Sequence, residues 1–200
     1  GVTTAFEAAI RNRAETLAWQ RLRRGGLPSL RVVMGPYPVH GDRWDPHGTA
    51  GKIFDTGFTT GFGDMWFKLG ALQIGIDGGV IGQSAALFEP YSNDPSGAWR
   101  GSFRVSQEIA NDFMVEAQSN DWQTGLICHG DRGIQRALQA IAYGREQVTT
   151  HDLRHRLEHA YLWNPENMDR MAELGVIWNT QPILLEIMGR EGVYAPWGDR

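Results

Sequence analysis

Cysteine is nearly absent from this 200-residue sequence, with Cys128 its sole example. No internal disulfide can form, which suits a protein kept in a reducing, cytoplasmic compartment. No apolar run approaches the roughly 18 to 20 residues that a membrane helix needs, so no membrane partner is expected. Positive charge is not in excess either, since 19 Lys and Arg face 23 Asp and Glu for a net charge of −4. The acidic residues are scattered, and nucleic acid is therefore not expected as a main partner. There is no initiating Met and no basic, apolar leader, so nothing marks a signal peptide, and a start at Gly1 suggests a processed or truncated chain. Gly-x-Gly-x-x-Gly and Gly-x-x-x-x-Gly-Lys loops are missing after every apolar run, which removes the usual nucleotide-binding signals. A Gly-x-Ser-x-Gly elbow is missing too, leaving little support for a serine hydrolase of that type. Finally, His40, His47, His129, His151, His155 and His159 contain no His-x-His pair.

What is present is an ordinary globular composition, 42% hydrophobic, long enough for one domain spanning 1–200. The β-branched start Gly1 to Thr4 reads as a strand running into a helix with Phe6, Ala9, Ile10, Leu17, Ala18 and Leu22 near one face. Glu7 early, Arg21, Arg23 and Arg24 late, and the Gly25, Gly26 stop complement that helix. Leu30 to Met34 reads as a second strand, and the Gly, Pro, Asp and His-rich stretch 35–63 as a long, partly irregular connection. From Ala71 to Asp77 the residues alternate, with Leu72, Ile74 and Ile76 on one face and Gln73, Gly75 and Asp77 on the other. Ser106 caps a helix bearing Ile109, Phe113, Met114 and Ala117. A strand from Thr124 to His129 precedes a helix with Ile134, Ala137, Leu138, Ile141 and Ala142 on one face. Asn164 and Pro165 open another helix, Gly175 ends it, and Val176 to Gln181 is the last strand. Six strands near residues 1, 30, 71, 124, 154 and 176, alternating with helices or long connections, predict a parallel α/β sheet. With no phosphate loop, the expectation is an incomplete (β/α)8 TIM-type barrel of about six units of the usual eight.

Two histidines stand where such a fold places chemistry. His129 ends the apolar strand Leu126, Ile127, Cys128, and strand C-termini form the active face of α/β barrels. His159 closes the following unit, so the two rings could share one metal. A rival pattern exists, because His151, His155 and His159 lie four apart in a segment without β-branched residues, which would place them on one stripe of a helix. Cys128, facing opposite to His129, reads as a buried structural thiol. The tryptophans and Met65, Met168 and Met171 read as packing residues.

In three later blocks the chain resembles the amidohydrolase superfamily, within it the branch containing N-substituted formamide deformylases. These blocks are His129, Gly130, Asp131, Arg132; then Arg154 through His159 with the pair Glu158, His159; then Gly175, Val176 with Gln181, Pro182. Weaker matches lie at Gly1 to Thr4, Gly63, Asp64, Leu69, Gly70, Asp77, Gly78 and Glu89 to Tyr91. The resemblance implies a barrel in which this chain supplies strands two to seven, the first and eighth strands and any N-terminal β-sandwich being absent. It makes the segment ending in His159 a strand and implies that His129 and His159 are metal ligands, with Gln73, Asp77 and Gln181 in substrate-binding or supporting positions. No catalytic residue is assigned, because the superfamily's aspartate belongs to the eighth strand. Gln73 stands where many relatives carry a carbamylated lysine bridging two metals, so one divalent metal, zinc in the family, is expected. The implied reaction is metal-dependent hydrolysis of a carbon–nitrogen bond in a small amide or formamide-like substrate, carried out by the parent protein, with this piece inactive by itself. The alternative is a non-catalytic binding or oligomerising module. Open strand edges at Gly1 to Thr4 and Val176 to Gln181 make homo-oligomers an expectation.

Overall fold

The computed structural model describes residues 1–26, 29–38, 51–189 and 195–198. The first strand, β1 (Thr4–Ile10), runs further than the sequence pattern predicts and includes Phe6, Ala9 and Ile10, which had read as helix. Its parallel pairing with β2 (Arg31–Pro36) takes up those residues, so tertiary hydrogen bonding overrides the apparent helical spacing. The helix α1 (Arg13–Arg24) begins instead at an Asn12 cap. The Asn12 side chain accepts from the Ala14 and Glu15 amides at 2.9 and 3.1 Å, while Glu15 reaches back to the Arg11 amide at 2.7 Å.

Part of the long connection expected over 35–63 lies outside the described residues, His40 and His47 included. Its described part holds a short helix, α2 (Gly51–Asp55). The chain then forms β3 (Phe67–Leu69) and, after Gly70 and Ala71, β4 (Leu72–Gly75). β3 pairs with β2, whereas β4 pairs with β5 (Thr124–Cys128), so this single run of chain joins two parallel sheets. One sheet has the order β1-β2-β3 and the other β4-β5-β6-β7, with β6 (Arg156–His159) and β7 (Ile177–Asn179) completing it. The helices are α3 (Gln107–Ser119), α4 (Asp131–Gln147), α5 (Pro165–Glu173) and α6 (Ile183–Gly189). Ser106 and Asn164 cap α3 and α5 as expected, each accepting from a backbone amide three residues on.

The main core lies between the second sheet and α3 to α5. Leu72, Ile74, Ile76, Leu126, Cys128 and Leu157 meet Phe113, Met114, Ile134, Leu138 and Ile141 there. The opposite face of the same strands carries Gln73, Gly75, Asp77, Gly125, Arg156 and Glu158, and it is on this inner face that the polar residues gather. Gln73, Asp77 and Glu158 are fully buried even so. Parallel strands put all their C-terminal ends along one rim, which is where Asp77, His129, His159 and Gln181 lie.

Candidate metal centre

Asp77 follows β4 on the inner face and organises this rim. Its Oδ1 accepts from the His129 amide at 2.9 Å, and its Oδ2 accepts from the Ala86 and Gly130 amides at 2.8 and 3.0 Å. Gly130 is the residue that caps α4, so the carboxylate also sits at a helix N-terminus, where backbone amides and the dipole favour negative charge. Gly133 in the first turn makes the approach possible, because a methyl group there would lie 2.4 Å from Asp77 Oδ2. The His129 Nδ1 lies 3.3 Å from Asp77 Oδ1. That contact places the ring proton on Nδ1 and leaves the lone pair on Nε2.

His159 reaches the same place by a different route. It is in register with Cys128, and Leu157 two residues before it packs into the helix-side core. Regular alternation would therefore turn His159 toward the helices. Instead His159 has φ 70° and Ala160 φ 45°, a left-handed pair at non-glycine residues that costs of the order of 1–3 kcal/mol each. The turn brings the two imidazoles into parallel stacking, with ring centroids 4.8 Å apart. Backbone bonds hold it in place: the Ala160 amide donates to Cys128 O at 2.7 Å, and those of Tyr161 and Leu162 donate to His129 O.

The His159 Nδ1 is 2.7 Å from Gln181 Oε1 and 3.0 Å from Tyr161 Oη, and the Tyr161 hydroxyl donates to the same Gln181 oxygen at 2.7 Å. With Oε1 as acceptor, His159 donates from Nδ1 and keeps its Nε2 lone pair as well. Burial lowers the His159 pKa, and the neighbouring His129 lowers it further, against the opposing pull of Gln181 and Asp77. A neutral imidazole is the form that binds metals. The two rings are thus prepared alike, each oriented by an acceptor on its Nδ1. Each Nε2 is thereby left able to donate to a metal, and among the described residues no group of three or more His, Cys, Asp or Glu could hold an ion.

Below the pair on the inner face, Glu158 is held by Arg156 Nη2 at 2.7 Å, by the Asn179 amide and by Gln73. Burial raises its pKa, and Arg156 with those two amides opposes the rise. Gln73 donates to Ala71 O at 3.2 Å, while its own Oε1, fully buried, has no hydrogen-bond partner. Gln73 therefore lies one layer below the histidines rather than beside them. Gln181 and Asp77 each touch a histidine directly.

The histidine stripe does not form. His155 precedes β6 and is buried against Thr124, whose amide donates to His155 Nδ1 at 3.2 Å, whereas His151 is exposed near Asp121. A cleft of about 500 Å³ beside them is lined by Gln118, Arg145, His151 and His155 and includes neither His129 nor His159. Cys128 is fully buried, and its thiol is pushed well above its ordinary value by burial and by the nearby Asp77 and Glu158. It is no nucleophile at neutral pH. Tyr161 was not legible as a site residue, since a tyrosine in a loop carries no periodic signal; only its place two residues after His159 hinted at a role.

The sequence profile described as the Amidohydrolase family matches residues 1–197. The chain belongs to this family. The Bacillus subtilis (strain 168) protein named "Putative amidohydrolase YtcJ" is 28% identical over 117 residues, 58% of this chain and 21% of that protein. Protein LONG AFTER FAR-RED 3 of Arabidopsis thaliana is 26% identical over 117 residues, covering 58% of this chain and 20% of its own length. This amidohydrolase-family chain thus spans about a fifth of the curated relatives it matches. Among solved structures, an uncharacterized metal-dependent hydrolase from Pyrococcus furiosus superposes with TM-score 0.77 at 19% identity, over 98% of this chain and 37% of that one. Another from Pyrococcus horikoshii OT3 gives TM-score 0.75 at 20% identity, over 98% and 35%. These two show that the fold is shared. No helix among the described residues is long and apolar enough to cross a membrane.

Proposed function

We propose that the full-length protein carrying this chain is a metal-dependent hydrolase of a carbon–nitrogen bond in an amide or formamide-like small molecule, with His129 and His159 as two ligands of one divalent metal. The observation that carries this reading is the matched preparation of the two rings: each Nδ1 is engaged by an acceptor, Asp77 for His129 and Gln181 for His159, and the rings stack 4.8 Å apart. Such supporting acceptors fix the tautomer and orient a ligating imidazole. The names of the two Pyrococcus neighbours, metal-dependent hydrolases, agree with it.

In this reading the two sheets are parts of one incomplete barrel, and the rim of strand ends is its active face. Bound there, a divalent ion, zinc by resemblance, supplies Lewis acidity toward an amide carbonyl. Asp77 holds His129 in its tautomer and ties it to the start of α4. Gln181 and Tyr161 do the same for His159, and its lowered pKa keeps it neutral. Gln73, one layer below the rings, stands by resemblance at the position of the relatives' carbamylated lysine, and its amide cannot form the anionic carbamate that bridges two metals, which favours a single ion. A tetrahedral site needs donors beyond the two histidines, and the full-length protein would supply them.

Elemental mass spectrometry on the purified full-length protein tests this, with His129→Ala and His159→Ala alongside. The expected result is about one divalent metal per chain in the wild type, lost in both variants. Unchanged metal content in both would remove these histidines from the site. An intact, folded protein without bound metal, and without amidase activity after zinc addition, would favour the alternative of a non-catalytic module.

A further inference from the structure

The same inner face, around Gly75, carries the Arg104 guanidinium, which has no partner among the described ion pairs, and the Tyr37 hydroxyl. Phe103 and Arg104 return across the end of β4, with Phe103 bridged to Asp77 and the Arg104 amide donating to Ile76 O at 2.9 Å. This return brings the Arg104 side chain onto the inner face, where its Nε donates to Asp77 O at 3.0 Å. Arg104 is thereby fastened to the backbone of the residue whose carboxylate orients His129. One hydrogen bond takes up Nε and leaves the two terminal nitrogens of the guanidinium. No carboxylate lies within salt-bridge distance of Arg104 among the described ion pairs, and the carboxylate of Asp77, whose backbone it holds, is committed to three amides and His129.

Tyr37 meets Arg104 over Gly75. A methyl group on Gly75 would lie 2.6 Å from Tyr37 Oη and 3.1 Å from Arg104 Cδ, so the missing side chain is what lets both settle on this part of the face. Arg11, at the end of β1, lies over the Tyr37 ring with its guanidinium carbon 5.5 Å from the centroid and adds a second positive charge to the corner. Gly75 and Asp77 point to the same side of β4, so this corner and the His129 ring share one face.

We propose that Arg104, with the Tyr37 hydroxyl, is the anion-recognising corner of the substrate site, and that the amide hydrolysed here carries a carboxylate at its other end. The proposal rests on the hydrolase reading for the identity of the reacting end. Its chemistry is independent of that reading: a guanidinium anchored through Nε presents its remaining N–H groups as a fork that matches two carboxylate oxygens, and a phenol adds a third donor. Anchoring at Asp77 O also sets the carboxylate at a defined distance from His129, so the corner selects substrates by length as well as charge.

The test uses the full-length protein and a series of formamides, N-formylglycine, N-formyl-β-alanine and N-formyl-4-aminobutyrate, against the neutral N-formylpropylamine. One of the carboxylates should exceed the neutral compound in kcat/KM, mainly through KM. That preference should fall roughly 10- to 100-fold in Arg104→Gln, as expected for a lost charge-assisted hydrogen bond, and be partly restored in Arg104→Lys. A preference that survives Arg104→Gln, or a wild type indifferent to the carboxylate, overturns the proposal while leaving the hydrolase reading intact. Calorimetric titration with the same carboxylates gives a second readout without turnover. If no formamide is hydrolysed, carboxylate binding that disappears in Arg104→Gln upholds the corner and counts against the hydrolase reading, whereas binding unchanged by the substitution overturns the corner.

Discussion

The two halves of this chain are built to different standards. In the half from Leu72 onward, every residue of β4 is buried and the core joins three strands to three helices through large side chains such as Phe113, Trp122 and Leu126. In the first half, β1 is only half-buried along most of its length, α1 has no buried residue, and the local core is Ile10, Val32 and Met34 with a few partly covered neighbours. Both halves use parallel strands followed by helices. The difference lies in whether a helix is covered on its apolar side, and the histidine pair, with the groups that orient it, is carried by the half where it is. The metal centre proposed there would need side chains held to fractions of an ångström, and dense packing supplies that rigidity.

Truncating the second core should therefore hurt most. Leu126→Ala is expected to cost about 2–5 kcal/mol, while Leu22→Ala on the exposed face of α1 should stay within about 0.5 kcal/mol, both measured by urea unfolding. Equal losses would mean that the halves fold on one shared core.

Acid should weaken the second half selectively through His155. Its pKa is lowered to about 4, chiefly by burial, from an ordinary 6.5. As pH falls below 6.5 the unfolded chain takes up the proton first, so stability drops until the folded ring also titrates near pH 4. The linked loss is about 3 kcal/mol across that window, and it is absent above it. Urea midpoints compared at several pH values for wild type and His155→Asn should show the slope flattened in the variant; identical slopes would assign the acid sensitivity elsewhere.

Gly133→Ala should sharpen the link between packing and site. Its methyl group would press on Asp77, and a cost of about 1–3 kcal/mol is expected together with weaker metal binding by the full-length protein. Stability lost with metal affinity unchanged would show that Asp77 can shift without disturbing His129. The smallest effect is expected in the looser half, where Asn12→Ala removes the α1 cap at about 1 kcal/mol, read from circular dichroism melts.

Much of this was legible in the residues. The alternation from Leu72 to Asp77, the Ser106 and Asn164 caps and the Gly175 stop are local signals, and local hydrogen bonding and burial obey them. The first helix was misread at Phe6, Ala9 and Ile10 because spacing alone cannot tell a half-covered strand from a helix face, and the decisive parallel pairing to β2 is remote in sequence. The Asn12, Glu15 pair was the available signal.

The candidate site divides along the same line. By itself the sequence determined most of the alternation of strands and helices and put His129 at a strand end, because periodicity, caps and breakers act over a few residues. For His159 periodicity left a helical stripe open, and only the family resemblance made its segment a strand. Tertiary structure alone decided that β3 and β4 are one run shared by two sheets, that the left-handed backbone at His159 turns its ring off the strand's alternation toward His129, and that Asp77, Gln181 and Tyr161 converge on the two imidazoles. Those outcomes depend on contacts between residues 20 to 52 positions apart. Such contacts form only when burial of the sheet against α3 to α5 offsets the entropy of closing the loops between them.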